Sequence, residues 1–220
     1  MYIIFVPSII GAYLLGSIPF GLLIAKAHGK DLRSIGSGNI GATNVSRALG
    51  RKWAYVCFGL DMLKGAVPML VTLSLVRGSS SESQIEKVIL LWLWLAVGCA
   101  AILGHIFPIY VKFKGGKGVA TSFGVALGLW PYFTICALFA IAIWVVVVLI
   151  WRYVSLASIA ASVSFPLVLI LAITLTPGWD FVNLWPLLIA ATAIPLMVII
   201  RHRENIKRLL AGTESKIFAR

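Results

Sequence analysis

Long runs without charge constrain this chain more than any other feature. Residues 119–151 contain no Asp, Glu, Lys or Arg, and further apolar runs cover 2–25, 53–76, 88–111, 155–176 and 183–200. A helix needs about 20 apolar residues to cross a hydrocarbon core ~30 Å thick, and most of these runs reach that length. With 60% apolar residues, 12% charged residues and a mean hydropathy of +1.00 over 220 residues, an ordinary soluble domain and a disordered tail are both excluded. The formal charge of +12 is gathered in a few patches between apolar runs, which argues against a nucleic-acid binder. The expectation is an all-α polytopic membrane protein forming one membrane-embedded domain over residues 1–220.

The basic residues order the spans. Lys26, Lys30, Arg33, Arg47, Arg51 and Lys52 follow the first run; Lys112, Lys114 and Lys117 follow the third; Arg152 and the tail from Arg201 to Arg220 carry the rest, apart from Lys64, Arg77 and Lys87. Loop 77–87 is balanced in charge, and 176–182 holds only Asp180. Positive loops stay in the cytoplasm. As one helix, 119–151 would measure about 50 Å, too long for one comfortable span. A break near Trp130-Pro131 makes two crossings of it, which puts every basic loop on one side. Seven crossings follow, with the N-terminus outside and the C-terminus inside. The first half, 119–130, is short, so its glycine-rich leader is expected to dip into the membrane as a re-entrant-like polar loop, which is tolerated only where it lines a polar cavity. Trp53, Trp130, Trp151, Trp179 and Trp185 fall near span ends, as an interfacial belt requires. Met1 to Ala25 lacks Lys and Arg, so the first run reads as a retained helix and not a signal peptide. Cys57, Cys99 and Cys136 lie in apolar stretches without metal spacing and read as core residues.

Two glycine-rich stretches carry the chemistry. Gly36-Ser37-Gly38-Asn39-Ile40-Gly41-Ala42-Thr43-Asn44-Val45-Ser46-Arg47 formally matches G-x-G-x-x-G, but it follows a membrane helix and opens no βαβ unit. Its glycines still let backbone N–H groups approach an anion, Ser37, Asn39, Thr43 and Asn44 add neutral donors, and Arg47 can clamp a phosphate. The plainer alternative is a surface turn with Arg47 on lipid headgroups. The second stretch, Lys114-Gly115-Gly116-Lys117-Gly118, lacks Walker A spacing. A glycine loop feeding a helix N-terminus nevertheless offers N–H groups and a positive dipole end to phosphate. A positive-inside anchor explains its lysines but not its glycines.

At the end of the last span, Arg201, Asn205 and Arg208 would share a face of a continuing helix, with His202 one turn from Asn205; a stop-transfer cluster is the alternative. Inside the membrane stand Asp61 and Lys64, three residues apart, and His105. Such groups are functional candidates, or else a structural ion pair.

With these residues in place, the chain resembles the bacterial acyl-phosphate-dependent glycerol-3-phosphate acyltransferases, the PlsY family. The likeness is collinear over nearly the whole chain. It runs through Gly16-Ser17-Ile18-Pro19-Phe20-Gly21, Gly36–Arg47, Leu60-Asp61-Met62-Leu63-Lys64-Gly65, Gly104-His105-Ile106-Phe107-Pro108, Phe113–Thr121, Arg152–Ser158 and His202–Leu210. Loop 77–87 and the tail after Gly212 are the variable pieces.

The resemblance implies transfer of a fatty acyl group from acyl phosphate to the 1-hydroxyl of glycerol 3-phosphate, giving lysophosphatidate and phosphate at the inner face of the bacterial cytoplasmic membrane. It implies a soluble phosphate acyltransferase as partner, and no cofactor, metal or nucleic acid. Lys117, Ser37, Arg47 and His202 are the catalytic candidates. Gly36, Gly38, Asn39, Thr43, Asn44, Gly115, Gly116, Gly118, Asn205, Asp61 and Lys64 are the candidate binding residues. The HxxxxD dyad of thioester-using acyltransferases is absent, because Arg33, Tyr110 and Lys207 stand five residues after His28, His105 and His202. A substrate phosphate therefore takes the hydroxyl proton, or His202 does. A carrier for phosphorylated metabolites is the competing reading, since broken helices with glycines and cations also serve anion transport. A headgroup transferase would need clustered aspartates, and Asp31, Asp61 and Asp180 are scattered.

Overall fold

The computed structural model describes residues 2–76 and 83–217. Arg77, Glu82 and Arg220, which entered the charge reading, lie outside them. The described residues form helices α1 (Phe5–Gly16), α2 (Phe20–Ala27), α3 (Ala42–Leu49), α4 (Arg51–Val76), α5 (Gln84–Ile106), α6 (Val119–Gly128), α7 (Tyr132–Trp151), α8 (Val154–Leu175), α9 (Phe181–Arg201) and α10 (Arg203–Leu210). They group into two compact units, one spanning residues up to 81 together with 92–128, the other 82–91 together with 129–220.

Among the described residues six stretches are long and apolar enough to cross a membrane: Phe5–Ala27, Arg51–Leu75, Ile85–Val111, Tyr132–Trp151, Val154–Leu175 and Phe181–Arg201. The expected count of seven is corrected here. Helix α6 has only 10 residues, about 15 Å, half of what a crossing needs. The break near Trp130-Pro131 does occur, with α6 ending at Gly128 and α7 starting at Tyr132. Large apolar side chains such as Leu149, Ile150, Leu171 and Leu175 are exposed on the long helices, a surface that lipid accepts and water does not.

In the first unit, the span Phe5–Ala27 is broken at Ser17-Ile18-Pro19. Pro19 lacks an N–H and pushes Ile18 away from helical geometry, which leaves the Ile18 carbonyl to accept from Lys64 Nζ at 2.8 Å. Helix α6 runs parallel to α4 and starts level with its middle. A Cβ on Gly65 would overlap the Thr121 carbonyl, one on Gly124 the Met62 carbonyl, and one on Gly128 the Met69 side chain. Glycines at these contacts let the two backbones touch, as small residues do between membrane helices. Short α3 buries Asn44, Val45 and Ala48 on a cluster with Ala25, Leu32 and Cys57.

In the second unit, α7 packs on α8. Phe133 and Phe165 meet edge-on at 5.2 Å between ring centroids, and Trp144 Nε1 donates to Ser158 Oγ at 3.2 Å. Arg152, at φ 64°, closes α7 with its amide on the Val148 carbonyl. Asp180 caps α9 by accepting from the Asn183 amide at 2.7 Å, satisfying one of the helix's open donors.

Candidate active site

The loop before α3 is built around Asn44. Its Nδ2 donates to the carbonyls of Leu32 at 3.0 Å and Ile35 at 2.9 Å, and its Oδ1 accepts from the Ser37 amide at 3.0 Å. Both donors are spent, so Asn44 braces the loop from below and does not line it as a donor to substrate, which corrects the sequence reading. Gly36 and Gly38 take positive φ values of 57° and 65°, the left-handed region where glycine carries no Cβ strain. A Cβ on Gly36 would also press on Asn44 and on the Arg47 side chain at 3.0 Å, so the aliphatic stem of Arg47 lies directly over this glycine. Ser37, Thr43 and Arg47 are exposed. Among the described residues no hydrogen bond or ion pair occupies the Arg47 guanidinium. The Asn39 Oδ1 is buried without a protein partner. Helix α3 starts at Gly41 with no side-chain cap, leaving its first amides open toward the loop.

The second loop lies against the first. Arg33 Nη2 donates to the Lys114 carbonyl at 3.1 Å, and Gly38 sits beneath the Arg33 carbonyl, which a Cβ there would meet at 3.1 Å. Arg33 was not singled out as a site residue; no local pattern marks it, because its partner lies 81 residues away. The glycines of Lys114-Gly115-Gly116-Lys117-Gly118 do a different job from the one expected. The Gly115 amide donates to the Ile106 carbonyl at 3.2 Å and the Gly116 amide to the His105 carbonyl at 3.1 Å. Those two N–H groups close the end of α5 and are not left for phosphate. A Cβ on Gly116 would strike the His105 ring, and one on Gly115 the backbone of His105 and Ile106; the glycines are needed for close approach. Gly118, at φ 86°, turns the chain into α6. Lys117 is half-buried, and Thr121 and Ser122 follow in the first turn of α6 with buried hydroxyls that lack a protein partner.

Beneath this loop the intramembrane charges consume one another. Lys64 Nζ lies 2.7 Å from Asp61 Oδ1, with side chains 1% and 4% exposed respectively. His105 Nδ1 lies 3.6 Å from the same oxygen, and Cys57 Sγ is 3.8 Å from Asp61 Oδ2. Lys64 also holds the Ile18 carbonyl at the α1–α2 break. Asp61 and Lys64 are thus an ion pair with each other. His105 links the pair to the second loop, its ring packing on Gly116.

In the second unit the expected continuous helix breaks at His202, between α9 and α10. His202 is buried, and its Nδ1 lies 2.8 Å from the Val198 carbonyl. A carbonyl only accepts, so Nδ1 carries a proton toward Val198. Asn205 is buried as well, its Nδ2 donating to Glu214 Oε1 at 2.6 Å. Glu214 was missed, because it sits in the tail after Gly212 that reads as variable; the one signal was an acid in a strongly basic segment. Burial pushes the Glu214 carboxyl up, but hydrogen bonds from Asn205, Arg208 and Ser155 outweigh it and hold the group below the usual range.

The family described as Glycerol-3-phosphate acyltransferase matches residues 6–212. The glycerol-3-phosphate acyltransferase of Aquifex aeolicus is 46% identical over 94% of this chain and 96% of its own length. That of Geotalea daltonii is 46% identical over 94% of each. A crystal structure of PlsY, described as an integral membrane glycerol 3-phosphate acyltransferase in its glycerol 3-phosphate form, superposes with a TM-score of 0.80 at 44% identity over 97% of this chain and 95% of that one. Its lysophosphatidic acid form gives 0.78 at 43% identity. An all-helical integral membrane fold, two glycine-and-cation loops and these likenesses agree: the chain belongs to the PlsY family of glycerol-3-phosphate acyltransferases.

Proposed function

We propose that this enzyme uses acyl phosphate as its donor and forms lysophosphatidate and inorganic phosphate. The observation that carries the reading is the Arg33–Lys114 hydrogen bond. It joins the loop that leads to the unspent Arg47 guanidinium to the loop that carries Lys117, which supports a site with two cations for two phosphate-bearing substrates. Arg47, with Ser37, Asn39, Thr43 and the turns at Gly36 and Gly38, holds a substrate phosphate. Lys117 and the α6 N-terminus, reached through Gly118, stabilise the charge that develops on the transferring centre. His202 and Asn205 orient glycerol 3-phosphate. The 1-hydroxyl oxygen bonds to the acyl carbon, the acyl–phosphate C–O bond breaks, and the hydroxyl proton leaves on a phosphate oxygen. Positioning and charge stabilisation suffice, because acyl phosphate is an anhydride with a good leaving group. The relative described in glycerol 3-phosphate and lysophosphatidic acid forms supports this acceptor and product.

The same reading gives a single catalytic domain over 1–220 in the bacterial inner membrane, its site facing the cytoplasm. A soluble phosphate acyltransferase supplies the donor. The discriminating experiment gives purified protein glycerol 3-phosphate with acyl phosphate, acyl-CoA or acylated carrier protein. Phosphate release and lysophosphatidate formation with acyl phosphate alone are expected. Turnover with a thioester donor, or phosphate-metabolite uptake into vesicles without acylation, contradicts the reading.

A further inference from the structure

The end of the first span carries basic residues that acyl transfer does not use. There a cavity of about 410 Å³ opens between the last turns of α2 and the loop that follows it. Leu22 and Leu32 supply its apolar lining, Lys26, Lys30 and Arg33 its cations, and Asp31 its one acid. Two of the cations are held by neutral groups: Lys30 Nζ donates to the Ala48 carbonyl, and Arg33 Nη2 to the Lys114 carbonyl at 3.1 Å. A carbonyl fixes a cation in place without cancelling its charge. Among the described residues no hydrogen bond or ion pair occupies the Lys26 ammonium, which is exposed. Asp31 turns its Oδ1 to the Arg33 amide at 3.0 Å, so three positive charges face one negative charge.

Depth narrows the choice of ligand. Lys26 stands one residue before the end of the apolar stretch Phe5–Ala27, the level at which hydrocarbon gives way to headgroups. Leu23, three residues earlier and on the same face of α2, is 50% exposed. One helix face thus leads from an apolar surface suited to lipid up to an unspent ammonium at the cavity. A free phosphate would use the cations and leave the leucines idle; a phospholipid uses both.

We infer that this cavity binds the phosphate headgroup of an anionic phospholipid from the surrounding bilayer, with the tails along the Leu23 face of α2, at a site distinct from those of the substrate phosphates. Lys26 brings the uncommitted charge. Lys30 and Arg33 are already in place, which lowers the ordering cost of binding.

The test follows the thermal midpoint of the purified protein in detergent during titration with dioleoyl phosphatidylglycerol, a diester that is neither substrate nor product of the proposed reaction. A ligand that binds only the folded state raises the midpoint, and the titration gives an apparent affinity. Lys26→Gln is expected to weaken that affinity about fivefold, the factor for one cation near an anionic headgroup, and Lys26→Glu about 25-fold, the same factor taken twice. Lys26→Arg keeps the charge and is expected to stay within about twofold of the parent. Lys207→Gln, which removes an exposed cation from α10, is expected to retain the parent affinity. The midpoint of each variant without lipid shows whether its fold is intact. A weakening in Lys26→Gln no larger than in Lys207→Gln overturns the inference, as does an equal rise with phosphatidylcholine. An equal rise with inorganic phosphate would make this a free-anion site and also overturn it. If Arg47→Ala abolishes the response while Lys26→Gln keeps it, the headgroup sits at the glycine loops instead. A soluble polyglutamate peptide that raises the midpoint more than phosphatidylglycerol, with the same dependence on Lys26, would give the cavity to an acidic protein and contradict the lipid assignment.

Discussion

The first unit holds two groups of polar residues, each with a cation, and of opposite fate. In the loop from Gly36 to Arg47 the brace, Asn44, is buried and the cation is exposed and unspent. In the group of Asp61, Lys64 and His105 the cation is sealed at 1% exposure and spent on a carboxylate and a backbone carbonyl. A charge that has met its partner inside the protein has little left to offer a substrate. The difference teaches that here charge alone does not mark a candidate for chemistry; a charge that is exposed and unspent beside glycine does.

The contrast can be broken from the scaffold side, where the expected effect is largest. Lys64→Met leaves Asp61 buried beside His105 without its ammonium partner, which should cost about 3–5 kcal/mol of stability. Pairing it with Asp61→Leu should recover most of that loss, since apolar replacement of a buried pair is often neutral. Thermal unfolding in detergent measures both. A stable Lys64→Met protein without turnover would move Lys64 from scaffold to chemistry.

From the chemical side, Lys117→Ala should lower kcat/KM by about 10²–10³, the usual effect of losing one donor to developing charge. His202→Gln separates two roles: a preserved rate removes His202 as the base and leaves the proton to a substrate phosphate. A smaller effect is expected at Asn44→Ala, which strands the Leu32 and Ile35 carbonyls and the Ser37 amide at a cost of about 1–3 kcal/mol. The KM of one of the two phosphate-bearing substrates should rise with it, because the loop that carries Arg47 loses its brace. Loss of stability without any change in either KM would detach the brace from the site.

The smallest effect concerns pH. Glu214 is held below its usual value, so its contribution is complete above the ordinary glutamate value of about 4.3 and is lost only as pH falls through the lowered one. Hydrogen-exchange protection at the Ile217 amide, which donates to the Arg152 carbonyl at 2.7 Å, should therefore be flat from about pH 8 to about pH 5. Loss of that protection within this range would contradict a tail held by the Glu214 carboxylate.

The spans were legible because lipid demands apolar length, and the break at Trp130-Pro131 was legible from charge sorting. What escaped was that α6, at 10 residues, is too short to cross. Its place depends on Gly65, Gly124 and Gly128 letting α6 lie along α4 from the middle of that helix onward, a contact between distant segments. The two glycine loops were visible because their chemistry is local. Their internal division of labour was not, since the amides of Gly115 and Gly116 close α5 and Asn44 turns inward. Arg33 and Glu214 act across 81 and 59 residues of chain respectively, where no spacing rule reaches.

The central claim, that the unspent cation over the glycine turn does the chemistry, is tested most directly by kcat/KM of Arg47→Ala. Because Arg47 is exposed and unpaired among the described residues, the variant should unfold at the parent temperature. Its kcat/KM for acyl transfer from acyl phosphate to glycerol 3-phosphate should fall by about 10²–10³. A variant whose kcat/KM stays within about threefold of the parent would contradict the account.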